Sequence, residues 1–163
     1  MKKLILILVF TSIYAQKESY QYVSFGTDIK FASQDLILNA GCVGNNFEMN
    51  IGYELFKQIN FDKYTIGIAY HIPRYVGNTK TVIIPSIEPT MINRWGNWGG
   101  GLGDRCQRSN HLSLGFNIAI RAELTDKIML EIQANYLPRT DLNTMYGSIN
   151  NRLSNYFKIL YKL

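Results

Sequence analysis

The chain is poor in the residue types that build metal centres and nucleic-acid surfaces. It has 2 histidines and 2 cysteines among 163 residues, and no cluster of carboxylates accompanies His71 or His111. A structural zinc site needs four such ligands and a catalytic one needs three, so the sequence gives no support for metal binding. The basic residues form no stripe with interleaved aromatic residues, which argues against a nucleic-acid partner. We expect no cofactor.

Long hydrophobic runs are also scarce. The longest covers residues 4–10, far below the ~20 residues that a membrane-spanning helix needs. Two lysines precede this run, and small and polar residues ending at Ala15 follow it, which is the layout of a cleavable signal peptide over residues 1–15. No cysteine near Ala15 offers a lipoprotein anchor. Any membrane insertion of the mature chain must therefore use strands.

Residues 16–163 have the length of one domain with a substantial core. Removal of Lys2 and Lys3 lowers the formal net charge from +5 to +3, which is mild. Export places Cys42 and Cys106 in an oxidising compartment, where a disulfide would need their Cα atoms within about 7 Å. Cys42 is in phase with apolar neighbours and Cys106 lies in a glycine-rich segment. The pattern favours a small buried Cys42 and a loop Cys106 over a bridge.

Alternation with a period of two residues dominates the mature chain, and helical periodicity is hard to find. The clearest case is the segment 111–124, where apolar residues take every second position from Leu112 to Leu124. The turn 125–127 follows, and the alternation resumes from Ile128 to Tyr136. The whole pattern predicts eight strands, at about 20–31, 35–43, 47–56, 63–72, 81–93, 111–124, 128–138 and 152–163. Pro85 and Pro89 make the strand 81–93 the least regular, because proline removes ladder donors.

An even number of strands lets an antiparallel sheet close with both termini at one end. With the termini in the periplasm, the connections 44–46, 73–80 and 125–127 should be periplasmic and short. The connections 32–34, 57–62, 94–110 and 139–151 should face outward. The two longest connections fall on the outer side, whereas 73–80 is longer than a periplasmic turn needs to be.

Side-chain size predicts which face points outward. Ile, Leu, Phe and Tyr crowd the apolar face, whereas the polar face carries Gly, Ala, Ser and Asn mixed with charges. The interior of an eight-stranded barrel is only just wide enough to be filled by side chains, which favours the polar set inside. Tyrosines near strand ends favour aromatic girdles at the lipid–water interfaces. They are Tyr20, Tyr64, Tyr70, Tyr136, Tyr156 and Tyr161. The alternative is a soluble periplasmic barrel with an apolar interior that binds a ligand.

The chain resembles the small eight-stranded outer-membrane β-barrels of Gram-negative bacteria, of the OmpX type or the OmpA transmembrane-domain type. The resemblance rests on the export signal, the strand count, turns such as 124–128 and the terminal pattern Phe157, Ile159, Tyr161 and Leu163. It implies an all-β, antiparallel, up-and-down transmembrane barrel in the outer membrane, in contact with outer-membrane lipid. It also implies that the terminal pattern is the signal read by the barrel-assembly machinery. That family usually ends on an aromatic residue, and this chain ends on Leu163.

The predicted inward face holds charges that must pair in a narrow interior of low dielectric. They are Glu48, Glu54, His71, Arg121, Glu123, Glu131 and Lys158. We expect a structural ionic cluster, because a filled eight-stranded barrel has no open channel for a proton or an ion.

A hydrolase is the rival interpretation, since some small outer-membrane barrels are lipid A deacylases with a His-x-Ser pair. His111 and Ser113 share a strand face, but Leu114 stands where that family has Asn. Glu123 lies roughly 33 Å along the strand from Ser113, too far to complete a triad. The glycine-rich segment 96–103 lacks the Lys-Ser/Thr of a phosphate-binding loop.

We therefore predict a structural, adhesive or surface-interaction role without enzymatic activity, in which the barrel displays the loops 94–110 and 139–151. An unidentified surface partner would contact the loops through Trp95, Trp98, Arg105, Arg108 and Tyr146.

Overall fold

The alternating segments form β-strands in a computed structural model, which describes residues 19–31, 35–56, 61–76, 79–95, 108–138 and 153–163. The predicted signal peptide, residues 1–15, lies outside the described residues. The strands are β1 (Tyr20–Asp28), β2 (Asp35–Gly44), β3 (Phe47–Phe56), β4 (Phe61–Tyr70), β5 (Ile72–Val76), β6 (Thr79–Trp95), β7 (Arg108–Glu123), β8 (Ile128–Tyr136) and β9 (Leu153–Lys162). A single 3-10 turn, Ile29–Phe31, follows β1. No helix in these ranges is long and apolar enough to cross a membrane.

Antiparallel pairing of successive strands closes the sheet on itself. The last strand, β9, pairs with β1, and β4 pairs with β6. Strands β4 and β5 are two parts of one barrel strand, interrupted at His71, because both pair with β6 in the same register. The sheet is therefore a closed eight-stranded antiparallel barrel, and this part of the sequence-based prediction is confirmed.

The predicted connection 73–80 is wrong. Residues 72–76 form β5 and β6 already begins at Thr79, so only two residues lie between these paired strands. Pro85 and Pro89 both lie inside β6 and pair continuously with β7. The ladder between β6 and β4 is interrupted opposite each of them. Proline has no amide hydrogen, so it interrupts one side of the ladder while the other side stays intact.

The described turns share one end of the barrel with the chain end at Leu163. Asn45 and Asn46 connect β2 and β3 with φ angles of 47° and 68°. Two consecutive positive φ values are typical of the tight hairpin turn whose twist matches the flanking strands, and asparagine tolerates them. At the same end, the turn 124–127 joins β7 to β8, and the Lys162 amide donates to the Lys127 carbonyl at 2.8 Å. The predicted turns at 44–46 and 125–127 are confirmed.

Large apolar side chains point out of the barrel. Exposed examples come from every part of the wall, including Phe25, Leu38, Ile51, Ile66, Ile87, Phe116, Ile118, Ile120 and Ile132. The alternate positions on the same strands are buried, and most of them carry polar or charged residues, with apolar ones such as Ile84, Met129 and Leu160 between them. The predicted orientation is therefore confirmed, and an apolar ligand-binding interior of the soluble kind is excluded for the described residues.

Candidate functional site: the charged interior and the loop-bearing end

Arg121 lies at the centre of the interior. It extends inward from β7, because its position alternates with the outward Ile118 and Ile120. Its Nη1 and Nη2 donate to the two carboxylate oxygens of Glu48 at 2.9 and 3.3 Å. Its Nε and Nη2 donate to Glu131 Oε2 at 2.8 and 2.6 Å. One guanidinium thus bridges β3 and β8, using the planar donor geometry that suits two carboxylates.

Glu48 has three further neighbours: Tyr22 of β1, Asn50 of its own strand and His71. The Tyr22 hydroxyl donates to Oε1, Asn50 Nδ2 donates to Oε1 at 3.1 Å, and His71 Nε2 lies 2.7 Å from Oε2. The Arg121 guanidinium carbon also lies 4.9 Å from the centre of the Tyr22 ring. A buried carboxylate is stable only when its acceptor positions are filled, and Glu48 meets that condition.

Lys158 extends this group toward β9. Its Nζ donates to Glu131 Oε1 at 3.1 Å and to the side-chain oxygen of Gln133. Both partners lie on β8 and share its inward face. The first interior group therefore links six strands of the barrel through side chains alone: β1, β3, the strand formed by β4 and β5, β7, β8 and β9.

A second group lies nearer the loop-bearing end of the barrel, which is the end opposite the turns at Asn45–Asn46 and 124–127. Lys63 of β4 pairs with Glu54 of β3, and the Tyr156 hydroxyl of β9 donates to Glu54 Oε2 at 3.0 Å. Lys63 Nζ also donates to the Tyr156 oxygen at 3.0 Å. This group connects strands on opposite sides of the barrel, so it fills the cross-section.

Six of the seven charged residues named from the sequence lie buried in these two groups: Glu48, Glu54, His71, Arg121, Glu131 and Lys158. Glu123 does not join them. It lies at the end of β7, partly exposed, where it pairs with Lys162 at 2.8 Å and with Lys80 at 3.9 Å. The structural role of the cluster stays a prediction.

The set of interior residues predicted from the sequence did not include Lys63, Tyr22 or Tyr156. Lys63 shares the inward parity of His71 on the same strand, and Tyr156 shares that of Lys158, so alternation could have identified both. The girdle prediction was wrong for Tyr156, which is 4 % exposed, and for Tyr20, whose hydroxyl accepts from Arg121 at 3.4 Å. The other four predicted girdle tyrosines, Tyr64, Tyr70, Tyr136 and Tyr161, are exposed.

Little free space remains between the two groups. Two interior cavities of about 10 Å³ each admit a single water-sized sphere. Charged and polar side chains line most of both. These two cavities are therefore too small for any solute larger than water. The residues that the structure describes contain no group of three or more His, Cys, Asp or Glu side chains able to hold a metal ion.

The pair His111 and Ser113 shows no arrangement for catalysis. Both lie near the start of β7, and the Ser113 hydroxyl donates to the backbone carbonyl of Pro138. A serine nucleophile needs its hydroxyl on an adjacent base, and this hydroxyl is directed to a peptide group instead. Glu123 lies at the opposite end of the same strand.

Three of the five predicted loop contacts, Trp98, Arg105 and Tyr146, lie outside the described residues. Trp95 ends β6 and pairs with Arg108 at the start of β7, so both stand at the base of the loop 96–107. Cys106 also lies outside the described residues, whereas Cys42 is a buried free thiol. Its Sγ lies 3.8 Å from the Met49 carbonyl oxygen.

Strand β7 continues beyond its pairing with β8. Pairing between β7 and β8 stops at Phe116 and Tyr136. Residues 108–115 of β7 continue beyond that point, paired with β6, for about 26 Å at ~3.3 Å per residue. We call residues 88–95 and 108–115 the extended hairpin. It carries the loop 96–107.

Three features together define the structural class of this protein: an apolar exterior, a closed antiparallel wall and a filled, largely polar interior. The fold is that of the small eight-stranded outer-membrane β-barrels, as the sequence resemblance predicted.

Comparison with solved structures agrees with this class. The chain is similar to the N-terminal β-barrel domain of OprF from Pseudomonas aeruginosa, with a TM-score of 0.58 and 8 % identity over 89 % of this chain and 97 % of that one. Neisserial surface protein A gives a TM-score of 0.42 and 13 % identity over 88 % and 90 %. Ail of Yersinia pestis, solved with the heparin analogue sucrose octasulfate, gives 0.41 and 9 % over 89 % and 97 %.

No protein-family model matches the chain. No curated protein matches it either. At these identities the likeness establishes the fold alone.

Proposed function

We propose that this protein is a filled outer-membrane barrel of a Gram-negative bacterium whose role is to present its outer loops to a surface partner. The observation that carries the proposal is the pairing of an apolar exterior with an interior closed by ionic groups. A body of this kind is embedded in lipid and conducts no solute, so its activity must reside in what it displays.

The extended hairpin supports the choice of loop. It carries the loop 96–107 on two paired strands that continue beyond the described pairing of β7 with β8. Trp95 and Arg108 pair at the top of this base. Aromatic and arginine side chains are enriched among residues that dominate binding energy at protein interfaces. We assign the main contact surface to this loop and a supporting one to residues 139–151.

The C-terminal strand supports a further part of the proposal, the route of assembly. Phe157, Ile159 and Tyr161 of β9 alternate with the inward Tyr156, Lys158 and Leu160. An apolar row that ends the chain at Leu163 is what the barrel-assembly machinery is expected to read. Outer-membrane lipid then surrounds the finished barrel.

The test is loop replacement in a non-adherent Gram-negative host that displays the protein. Residues 96–107 are exchanged for a short Gly-Ser linker, and retention of the cells on a matrix-coated surface is counted under flow. We expect the intact protein to raise retention and the exchange to return it to background. A matched exchange of residues 32–34 should leave retention unchanged.

The heat-modifiable band on a gel, measured after detergent extraction, checks that each variant still forms the barrel. Full retention by a folded variant without the 96–107 loop would contradict the assignment. Recovery of the protein from the periplasm without detergent would contradict the membrane location.

A further inference from the structure

An open groove of about 590 Å³ crosses the outer wall of the barrel from β1 to β4. Its lining comes from four adjacent strands, which lie about 4.8 Å apart, so the groove runs for about 14 Å across the sheet. The outward side chains that line it are almost all apolar. Pockets that hold small molecules measure roughly 300–1,000 Å³, and this groove falls within that range.

The small side chain of Ala40 creates the depression. The residues paired with Ala40 on the two neighbouring strands are Val23 and Ile51, which are larger and are 44 % and 62 % exposed. Leu38, the next outward residue on β2, is also exposed. Ala40 therefore lies at the bottom of a hollow between three larger apolar side chains.

The floor of the groove is the backbone of the sheet. Four of the lining residues alternate with the outward ones, so their side chains point into the barrel and their backbone forms the floor: Ser24, Asn39, Gly52 and Thr65. A narrow hollow with a backbone floor and apolar walls fits a single hydrocarbon chain.

The groove has a polar end on the side of the loop-bearing end. Tyr53 and Tyr64 pair directly across β3 and β4, and their ring centroids lie 5.1 Å apart. The Tyr53 hydroxyl hydrogen-bonds to the Asp62 carboxylate, which shares the outward parity of Tyr64 one step closer to the loops. Tyrosine rings prefer the level of the lipid headgroups, and a carboxylate avoids the hydrocarbon region. The groove therefore lies just inside the boundary of the hydrocarbon region.

The charge near this polar end selects the kind of headgroup. No lysine or arginine is among the residues that line the groove. Arginine and lysine are the side chains that bind phosphate groups, so the phosphates of lipid A would find no partner in this lining and would be repelled by Asp62. A headgroup that ends in an ammonium group is attracted by the same carboxylate. The complementary molecule is a phospholipid with a primary amine.

We propose that this groove binds one chain of an amine-bearing phospholipid in the leaflet at the loop-bearing end. The inference rests on the membrane location given under the proposed function. The chain lies over Ala40, and the ammonium group lies beside Tyr53, Tyr64 and Asp62. A lipid held in this way stays with the protein in detergent, whereas lipid around the rest of the wall exchanges.

The test is native mass spectrometry of the full-length mature protein in detergent. Phosphatidylethanolamine, phosphatidylglycerol with the same chains and lipid A are added in equal amounts, and the retained lipids are identified by mass as the detergent concentration is raised. We expect one phosphatidylethanolamine to remain bound under conditions that remove the other two lipids.

Three variants locate the lipid. Ala40→Phe fills the hollow and should weaken lipid retention by at least about tenfold, because lost contact with two methylene groups is already worth that much. Ala134→Phe makes the same change at an exposed outward position of β8, outside the groove, and should retain the lipid as the unaltered protein does. Asp62→Asn keeps the shape and should abolish the preference for phosphatidylethanolamine over phosphatidylglycerol.

The heat-modifiable band on a gel checks that each variant folds, and Ala40→Leu replaces Ala40→Phe if the larger side chain prevents folding. Unchanged lipid retention in the folded Ala40 variant would overturn the proposal. Preferential retention of lipid A, or a complex of two protein copies that the Ala40 variant abolishes, would assign the groove to a different occupant and overturn it equally. Recovery of the protein without detergent would overturn this inference together with the membrane location. Failure of the loop exchange would bear only on the proposed function, because residues 96–107 do not line the groove.

Discussion

Arg121 shows how much of this barrel depends on single interior side chains. It satisfies carboxylates from two strands, and both carboxylates are almost fully buried. Ion pairs of this kind contribute little net stability relative to a well-packed apolar core, because desolvation offsets the attraction. Removing one partner is different, because the remaining charges stay buried without compensation.

Arg121→Met should therefore lower the free energy of unfolding by about 3–5 kcal/mol. Glu48 and Glu131 would each lose their guanidinium contact. The measurement is urea unfolding in lipid vesicles. Lys80→Met is the matched control, since its side chain is 46 % exposed and lies 3.9 Å from Glu123, and it should change the value by less than about 1 kcal/mol. Similar decreases in the free energy of unfolding for the two variants would show that the interior ion pairs matter no more to stability than the exposed pair does.

At the scale of single elements, the sequence predicted the turns more accurately than it predicted the strand ends. The dipeptide Asn45-Asn46 between two alternating segments predicted a tight turn, and both residues have the positive φ that it requires. The segment 73–80 was predicted to be a connection, whereas Pro73 pairs with Val82 inside a short strand. Proline is compatible with a strand where its missing donor faces no partner, and that depends on neighbours the local sequence does not reveal.

Substitutions at Asn46 test the turn. Asn46→Val should destabilise the barrel by about 1–2 kcal/mol, because a β-branched residue strongly disfavours the left-handed region. Asn46→Gly should be neutral or stabilising by up to about 1 kcal/mol. Asn110→Val makes the same chemical change at an exposed position within β7 and should cost less than about 0.5 kcal/mol. A cost at Asn110 equal to that at Asn46 would mean that backbone conformation is not the cause.

At the scale of the whole molecule, the barrel distributes apolar and charged residues in the opposite way to a soluble globular protein. Its large apolar residues cover the outside and its charges fill the inside, so its stability depends on lipid around the wall. This orientation separates it from soluble barrels of the same strand number.

Ile118→Arg tests that orientation directly. Ile118 lies near the middle of β7 and is 54 % exposed on the outer face. An arginine at the bilayer midplane should make folding into vesicles less favourable by about 2–4 kcal/mol. Leu124→Arg is the matched control at the turn end of the same strand, where the cost should fall to about 0–1 kcal/mol. Equal costs at both sites would mean that no depth-dependent lipid contact exists.

Alternation in the sequence determined the strands, their inward and outward faces and most of the charged interior, because parity is a local property of an extended chain. Tertiary structure alone decided how those inward residues pair. Arg121 meets Glu48 across 73 positions of the chain, and Tyr156 meets Glu54 across 102. Such contacts depend on the register and closure of the whole sheet.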